Sequence, residues 1–222
     1  NIDGTVNVFR CVLGTNVKKI VYTSSSEVYG EPREIPIKED SPKSPVSIYG
    51  VSKLTAEMYA FGYFKEYGMD INPVRLFNVY GHGQGFDWVV PIFIQKVLNG
   101  EVPEIFGDGS QVRCFTYIAD IVNGITTVMK KGEAYNIAND EPITIKELAE
   151  KIIKVSDKNL KPKIVGFGSE TRTKERDIMK RIPSIEKLKN LGWKPEVSIE
   201  EGIKRTYAWY KENLGKEELF YE

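Results

Sequence analysis

The 222-residue chain predicts an α/β fold, a parallel sheet with crossover helices followed by a smaller mixed α/β lobe. Three observations lead there. The first 80 residues alternate helix, strand, helix, strand, a rhythm that implies parallel strands joined by crossovers. Both strands end in polar residues, "TSSS" and "RLFN", as buried strands do when they open onto a ligand-binding edge. The second half changes to shorter strands and amphipathic helices around Gly-rich turns.

Residues 1–14 read as a helix, with apolar Val6, Phe9, Val12 and Leu13 and a stop at Gly14. "KKIVYTSSS" reads as a buried strand with a hydroxyl-rich end. Pro32, Pro36, Pro42 and Pro45 make 31–47 a long loop. A helix from about Ser47 to Tyr67 follows, closed by Gly68, and "DINPVRLFNVYG" reads as one further strand. A helix is expected across 88–99, then short strands in "EIFGDGSQVRCFTYI" around a turn in which Asp108 is a turn residue. Beyond them come a helix across 117–130, a strand in "AYNIA" and an amphipathic helix in "TIKELAEKIIKVS" with Ile145, Leu148, Ile152 and Ile153 on one side. The strand "KPKIVGFG", a charged irregular stretch over 172–183, and helices near 184–190 and 198–213 complete the reading.

Composition narrows the function. Apolar content of 41% and charged content of 28% describe an ordinary globular protein. Net charge is zero, which argues against a general polyanion surface and so against nucleic acid as partner. No run approaches the roughly 18 apolar residues of a membrane span. Cys11 and Cys114 form no C-x-x-C pair, Cys114 is expected half-buried, and a reduced, cytoplasmic setting is the default. His82 is the only histidine, so a zinc site is not expected. Asn1 is not a methionine and the first helix reads as already under way, so the expectation is a piece of a longer protein, with processing as the other account.

The stretch "IYGVSKLTAE" carries the chemistry. In a helix Tyr49 and Lys53 stand one turn apart on one face. A phenol, with its ordinary pKa of about 10, acts as a base near neutrality only when the phenolate is favoured, and a nearby ammonium does that. A hydroxyl beside it can relay the proton, and Ser25 at the strand end is the candidate. Spacing alone does not decide, because Tyr207 and Lys211 repeat it.

Context decides. "TSSSEVYG", "SIYGVSK", "RLFNVYG", "GDGSQVRCFTYIAD" and "LGWKP" follow in order, and over nearly its whole length the chain resembles the extended short-chain dehydrogenase/reductase family, in its NAD-dependent sugar-nucleotide epimerase/dehydratase branch. The resemblance implies a partial Rossmann-type sheet, its N-terminal strands missing, over 1–80 plus about 111–138, and a substrate lobe over 81–110 and 139–222. It makes Tyr49 the proton-transferring phenol, Lys53 its tuner and a ligand of the nicotinamide ribose, and Ser25 the third catalytic hydroxyl. NAD is the implied cofactor, held by Ser24, Tyr49, Lys53 and Phe77. A nucleotide sugar, expected to be a UDP-sugar, is the implied substrate, held by Ser25, Asn78, Trp88, Val89, Val90, Ile105, Phe106, Arg113, Lys174 and Asp177. Asn1 matches an asparagine that orders the proton relay, and Arg75 is as much a structural as a ligand-binding candidate. The helices 1–14 and 47–67 match the dimer-forming pair of relatives.

The family's Gly-rich cofactor loop is not found. "GHGQG" follows the wrong strand and lacks the spacing. Roughly 80–90 residues of a typical member are unmatched, and the chain alone is expected to bind NAD weakly or not at all and to be inactive by itself. The leading expectation is a 4-epimerase of the UDP-glucose/UDP-galactose kind, working by transient oxidation at C4. Glu27 in "SEVYG" with Arg181 in "KRIPSIE" keeps a UDP-glucuronate decarboxylase in view, while Ser26 in place of an aspartate disfavours complete dehydratase chemistry. A non-catalytic binding or assembly module of the same fold is the third reading.

Overall fold

A computed structural model describes residues 1–128, 132–166 and 178–215. In chain order the elements are α1 (Ile2–Val12), β1 (Ile20–Ser25), a 3-10 turn (Ser26–Tyr29), α2 (Ile48–Tyr67), β2 (Ile71–Leu76) and β3 (Asn78–Tyr80). Then come α3 (Val89–Leu98), β4 (Glu104–Phe106), β5 (Val112–Arg113), β6 (Phe115–Tyr117), α4 (Ile118–Thr127), β7 (Tyr135–Ile137), β8 (Ile143–Thr144) and α5 (Ile145–Val155). β9 (Lys163–Val165), β10 (Lys180–Arg181), α6 (Glu186–Lys189) and α7 (Ile199–Asn213) complete the order.

The chain divides into two compact units. The first comprises Asn1–Phe77, Ile121–Asp140 and Arg181–Lys194. Its sheet runs β1-β2-β7, parallel throughout, with Ile20 opposite Ile71 and Val74 opposite Tyr135. β2 is buried along nearly its whole length, as a central parallel strand must be. Phe9 of α1, Tyr22 of β1, Ala56 and Ala60 of α2 and Ile71 of β2 form a core cluster. The residues α2 buries are Gly50, Ala56, Glu57 and Ala60, three of them small, so the helix axis lies close to its neighbours. Ser47 caps the start of α2 by accepting the Gly50 N–H, and Gly68 ends it in the left-handed region at φ 69°. The proline-rich loop is tied in where Ile37 donates to the Ile182 carbonyl and accepts from the Ser184 N–H, both at 2.8 Å.

The second unit comprises Asn78–Asp120, Glu141–Lys180 and Pro195–Glu222. It holds the parallel pairs β3–β6 and β4–β9 and the antiparallel pair β5–β8. α3, α5 and α7 bury Val90, Phe93, Ile94, Leu148, Ile152, Ile203 and Tyr207 in one core. Thr144 and Glu147 form a reciprocal capping box at the head of α5.

Two sequence readings are corrected. The run 70–81 is two strands: β2 pairs with β1 and β7, and β3 pairs with β6, with Phe77 between them. Cys114, the residue between β5 and β6, is fully buried rather than half-buried. Among the described residues no disulfide forms, no group of His, Cys, Asp or Glu could hold a metal, and no helix is long and apolar enough to cross a membrane.

Candidate functional site

β1 and α2 bring the first unit's chemistry together. Tyr49 sits in the first turn of α2 and is about half exposed (47%), with no hydrogen bond to its phenol oxygen among the described residues. Lys53 follows one turn later on the same side of the helix, its Nζ 5.6 Å from the centre of the Tyr49 ring. The same Nζ donates to the Thr23 carbonyl at 2.7 Å and lies 5.2 Å from the centre of the Tyr22 ring. Partial burial pushes the Lys53 pKa down. An ammonium has three donors, so two N–H groups remain beyond the Thr23 bond.

Ser25 ends β1, two residues beyond that carbonyl. Its hydroxyl accepts the Glu27 N–H at 3.2 Å and caps the 3-10 turn. No acceptor for its own proton occurs among the described residues, and no bond links it to Tyr49. Asn1 donates to the Ser52 hydroxyl at 3.1 Å, and Ser52 donates to the Tyr49 carbonyl at 2.8 Å, so the head of α1 supports the turn that carries the phenol. Gly50 explains how α2 approaches so closely: a Cβ there would lie 2.7 Å from the Glu27 carbonyl oxygen and 3.0 Å from the Pro45 Cβ.

Ser24 does not present its side chain as a cofactor ligand. It is buried and donates to Glu57 Oε1 at 2.5 Å, because alternation along β1 turns it toward α2. Glu57 and Arg75, both almost wholly buried, form an ion pair at 2.7 Å. Arg75 Nε also reaches Oε1 and Oε2 at 3.0 and 3.2 Å, and Nη1 donates to the Tyr29 hydroxyl at 2.8 Å and the Glu39 carbonyl at 2.7 Å. Tyr29 in turn donates to Asn136 at 2.7 Å. Burial alone would pull the Arg75 pKa down; the bonds to Glu57 and Tyr29 outweigh it and hold the guanidinium further into its charged range. Arg75 is therefore structural. Burial also pushes the Tyr29 phenol up to about 12, against the pull of Arg75. Phe77 is buried with its ring 6.3 Å from that of Tyr29.

Sequence reasoning missed Glu57 and Tyr22. A glutamate among small helical residues, with an arginine in an apolar strand, is the signal that would have found the first pair. Nothing in the sequence marks Tyr22.

Glu27 accepts from Arg181 Nη1 at 2.6 Å and from the Ser47 hydroxyl at 3.2 Å. Arg181 is buried, and its Nε has no hydrogen-bond partner.

In the second unit Asn78 is half-buried and its Oδ1 lacks a partner. Arg113 is half-buried, its Nη1 donating to the Val112 and Met179 carbonyls at 2.9 and 3.5 Å. Trp88 and Phe106 are exposed and Val89 is half-buried. Val90 and Ile105 depart from the expectation of a ligand-lining surface: each is 1% exposed, because α3 and β4 turn those positions into the apolar core. Their side chains serve packing. Lys174 and Asp177 lie outside the described residues.

Residues 1–206 match the family described as GDP-mannose 4,6 dehydratase. The chain is 37% identical over 222 residues to the UDP-glucuronate 4-epimerase of Thermodesulfobacterium geofontis, covering 96% of this chain and 66% of that protein. Its structure is similar to UDP-glucose 4-epimerase from Thermotoga maritima with UDP-glucose, at TM-score 0.88 and 32% identity, covering 96% of this chain and 70% of that one. It is similar too to a dTDP-glucose 4,6-dehydratase from Streptomyces venezuelae solved with NAD bound, at TM-score 0.88 and 29% identity, covering 99% of this chain and 68% of that one. The chain thus spans about two thirds of the length of the proteins it matches.

Proposed function

The chain belongs to the extended short-chain dehydrogenase/reductase family of NAD-dependent sugar-nucleotide epimerases and dehydratases, and from that membership we propose that it provides the acid–base site of a nucleotide-sugar 4-epimerase acting on a UDP-sugar of the glucose/galactose kind. The observation that carries the reading is the Tyr49–Lys53 pair at 5.6 Å, with Lys53 anchored at 2.7 Å to the Thr23 carbonyl beside Ser25.

Tyr49 takes the proton from the sugar 4-hydroxyl. Lys53 sets a positive charge beside the reacting phenol, and its two remaining N–H groups suit the hydroxyls of a ribose. Ser25 offers its undonated proton to the oxygen that becomes a ketone. NAD, when bound, supplies the hydride acceptor at C4 and the hydride that returns to the other face. Phe77, just past the end of β2, is proposed to lie against the nicotinamide, and Ser24 would contribute through its main chain. In the second unit Asn78, with its unpaired oxygen, and Arg113, Trp88, Val89 and Phe106 are the groups proposed to grip the nucleotide, together with Lys174 and Asp177. Val90 and Ile105 would act only by shaping that unit. Binding the remote nucleotide would retain the keto-sugar while it turns over. A homodimer through α1 and α2 fits the exposed Val8, Met58, Tyr59 and Tyr67 on those helices.

One observation favours a second reading. Glu27 and Arg181, far apart in sequence, pair at 2.6 Å beside the head of α2, as a uronate decarboxylase of this family would need. The experiment is to supply the full-length gene product with NAD and either UDP-galactose or UDP-glucuronate. Interconversion of UDP-galactose and UDP-glucose supports the first reading; CO2 release from UDP-glucuronate supports the second; turnover of neither refutes both.

A further inference from the structure

We propose that Tyr22 is a positioning residue for the acid–base pair, its ring forming with that of Tyr49 a two-walled seat for the Lys53 ammonium. The inference rests on the reading of Tyr49 and Lys53 as the proton-transferring pair.

Lys53 is a cation partly withdrawn from water. Among the described residues no carboxylate pairs with it, and its one hydrogen bond goes to a neutral carbonyl, that of Thr23. Two aromatic rings stand in for the missing anion, with centres 5.2 Å (Tyr22) and 5.6 Å (Tyr49) from Nζ. The negative face of a phenol ring attracts an ammonium within about 6 Å, and more strongly as water is excluded. Tyr49 is half exposed and belongs to the reaction, while Tyr22 is buried and fixed. Phe9 of α1 packs edge-on against it, centres 6.3 Å apart and planes at 82°. The Tyr22 hydroxyl is buried without a partner, and burial pushes that phenol up to about 12. It therefore stays neutral and does not compete with Tyr49 for the proton.

The other charges near this seat are accounted for. From α2 come Tyr49 and, one turn beyond Lys53, Glu57, whose carboxylate is already engaged by Arg75 and Ser24. From β1 come Tyr22 and the Thr23 carbonyl, and α1 contributes the uncharged Phe9. Among the described residues the Tyr22 face and the Thr23 carbonyl are thus the buried-side neighbours of the ammonium, with Tyr49 on its open side.

The test titrates the Lys53 ammonium by the 13Cε NMR shift of labelled lysine, assigned by its loss in Lys53→Met, in the chain without substrate. Tyr22→Leu removes the ring, and the Lys53 midpoint is expected to fall by about 0.5–1 pH unit. Tyr22→Phe keeps the ring and leaves the midpoint in place. Should Tyr22→Leu not fold, Tyr22→Phe and its mono-, di- and trifluorinated analogues keep the shape while draining the ring face, and the midpoint is expected to fall step by step with fluorine number. A midpoint indifferent to fluorination or to Tyr22→Leu, or a fall in Tyr22→Phe as large as in Tyr22→Leu, overturns the proposal. No substrate enters this measurement, so its failure is distinct from a failure of the epimerase reading, which shows as absent turnover with an intact seat.

Discussion

Replacing Glu57 by glutamine tests whether the buried ion pair holds the first unit together. The carboxylate accepts from Ser24 at 2.5 Å and from Arg75 through Nη2 at 2.7 Å and Nε at 3.0 and 3.2 Å. Glutamine keeps the shape and one oxygen. It can still accept from Nη2 and donate to Ser24, but it leaves the guanidinium buried without an opposite charge. Breaking one side of a buried pair costs about 3–5 kcal/mol, and the retained oxygen places this change near about 3 kcal/mol. That is roughly a hundredfold in the folding equilibrium, or about 6–12 °C in Tm for a chain of this size. Urea unfolding gives the number. Trp193 is buried in the first unit, so a Trp88→Phe/Trp209→Phe background lets fluorescence report that unit. The double variant Glu57→Gln/Arg75→Met should be less destabilised than the sum of the singles, because it removes the stranded charge. A loss below about 1 kcal/mol for Glu57→Gln, or strict additivity in the double variant, would refute the reasoning.

Three further outcomes are expected. Gly50→Ala should cost about 1–3 kcal/mol in chemical denaturation, since its new methyl meets backbone that cannot turn aside; an unchanged midpoint would show that α2 has slack there. Thr144→Ala should cost about 1 kcal/mol by opening the capping box. The Thr144 amide and hydroxyl lower the Glu147 pKa below its ordinary 4.5, so this contribution is complete above 4.5 and fades as pH falls through the lowered value; alanine keeps the amide and loses the hydroxyl, so the gap between wild type and Thr144→Ala should narrow in acid down to the part due to the Glu147 N–H bond, and a gap constant with pH would contradict the assignment. In the full-length gene product Tyr49→Phe should lower kcat by about 10²–10⁴ with the circular dichroism spectrum unchanged, and near-normal turnover would remove Tyr49 from the mechanism.

Much of this was legible beforehand, for reasons that differ by element. α2 announced itself by its start near Ser47 and its closing glycine, and the structure adds that Ser47 caps it. β1 was recognisable from its β-branched run and hydroxyl end. The division of 70–81 into β2 and β3 was not, because the partner of β3 is β6, more than thirty residues onward, and no local signal records a non-local pairing. Val90 and Ile105 look like pocket residues in a motif, yet which face they turn inward depends on the whole second core. The Tyr49–Lys53 spacing was visible, but the Thr23 anchor was not, since a carbonyl has no letter in a sequence.

That anchor is common to all twenty amino acids. A substitution at position 23 changes what the strand shows to solvent but leaves the oxygen that receives the Lys53 proton donor. Genetic drift can therefore rewrite that position while the amine stays tethered, so a library randomised at residue 23 samples new surface chemistry without loosening the lysine.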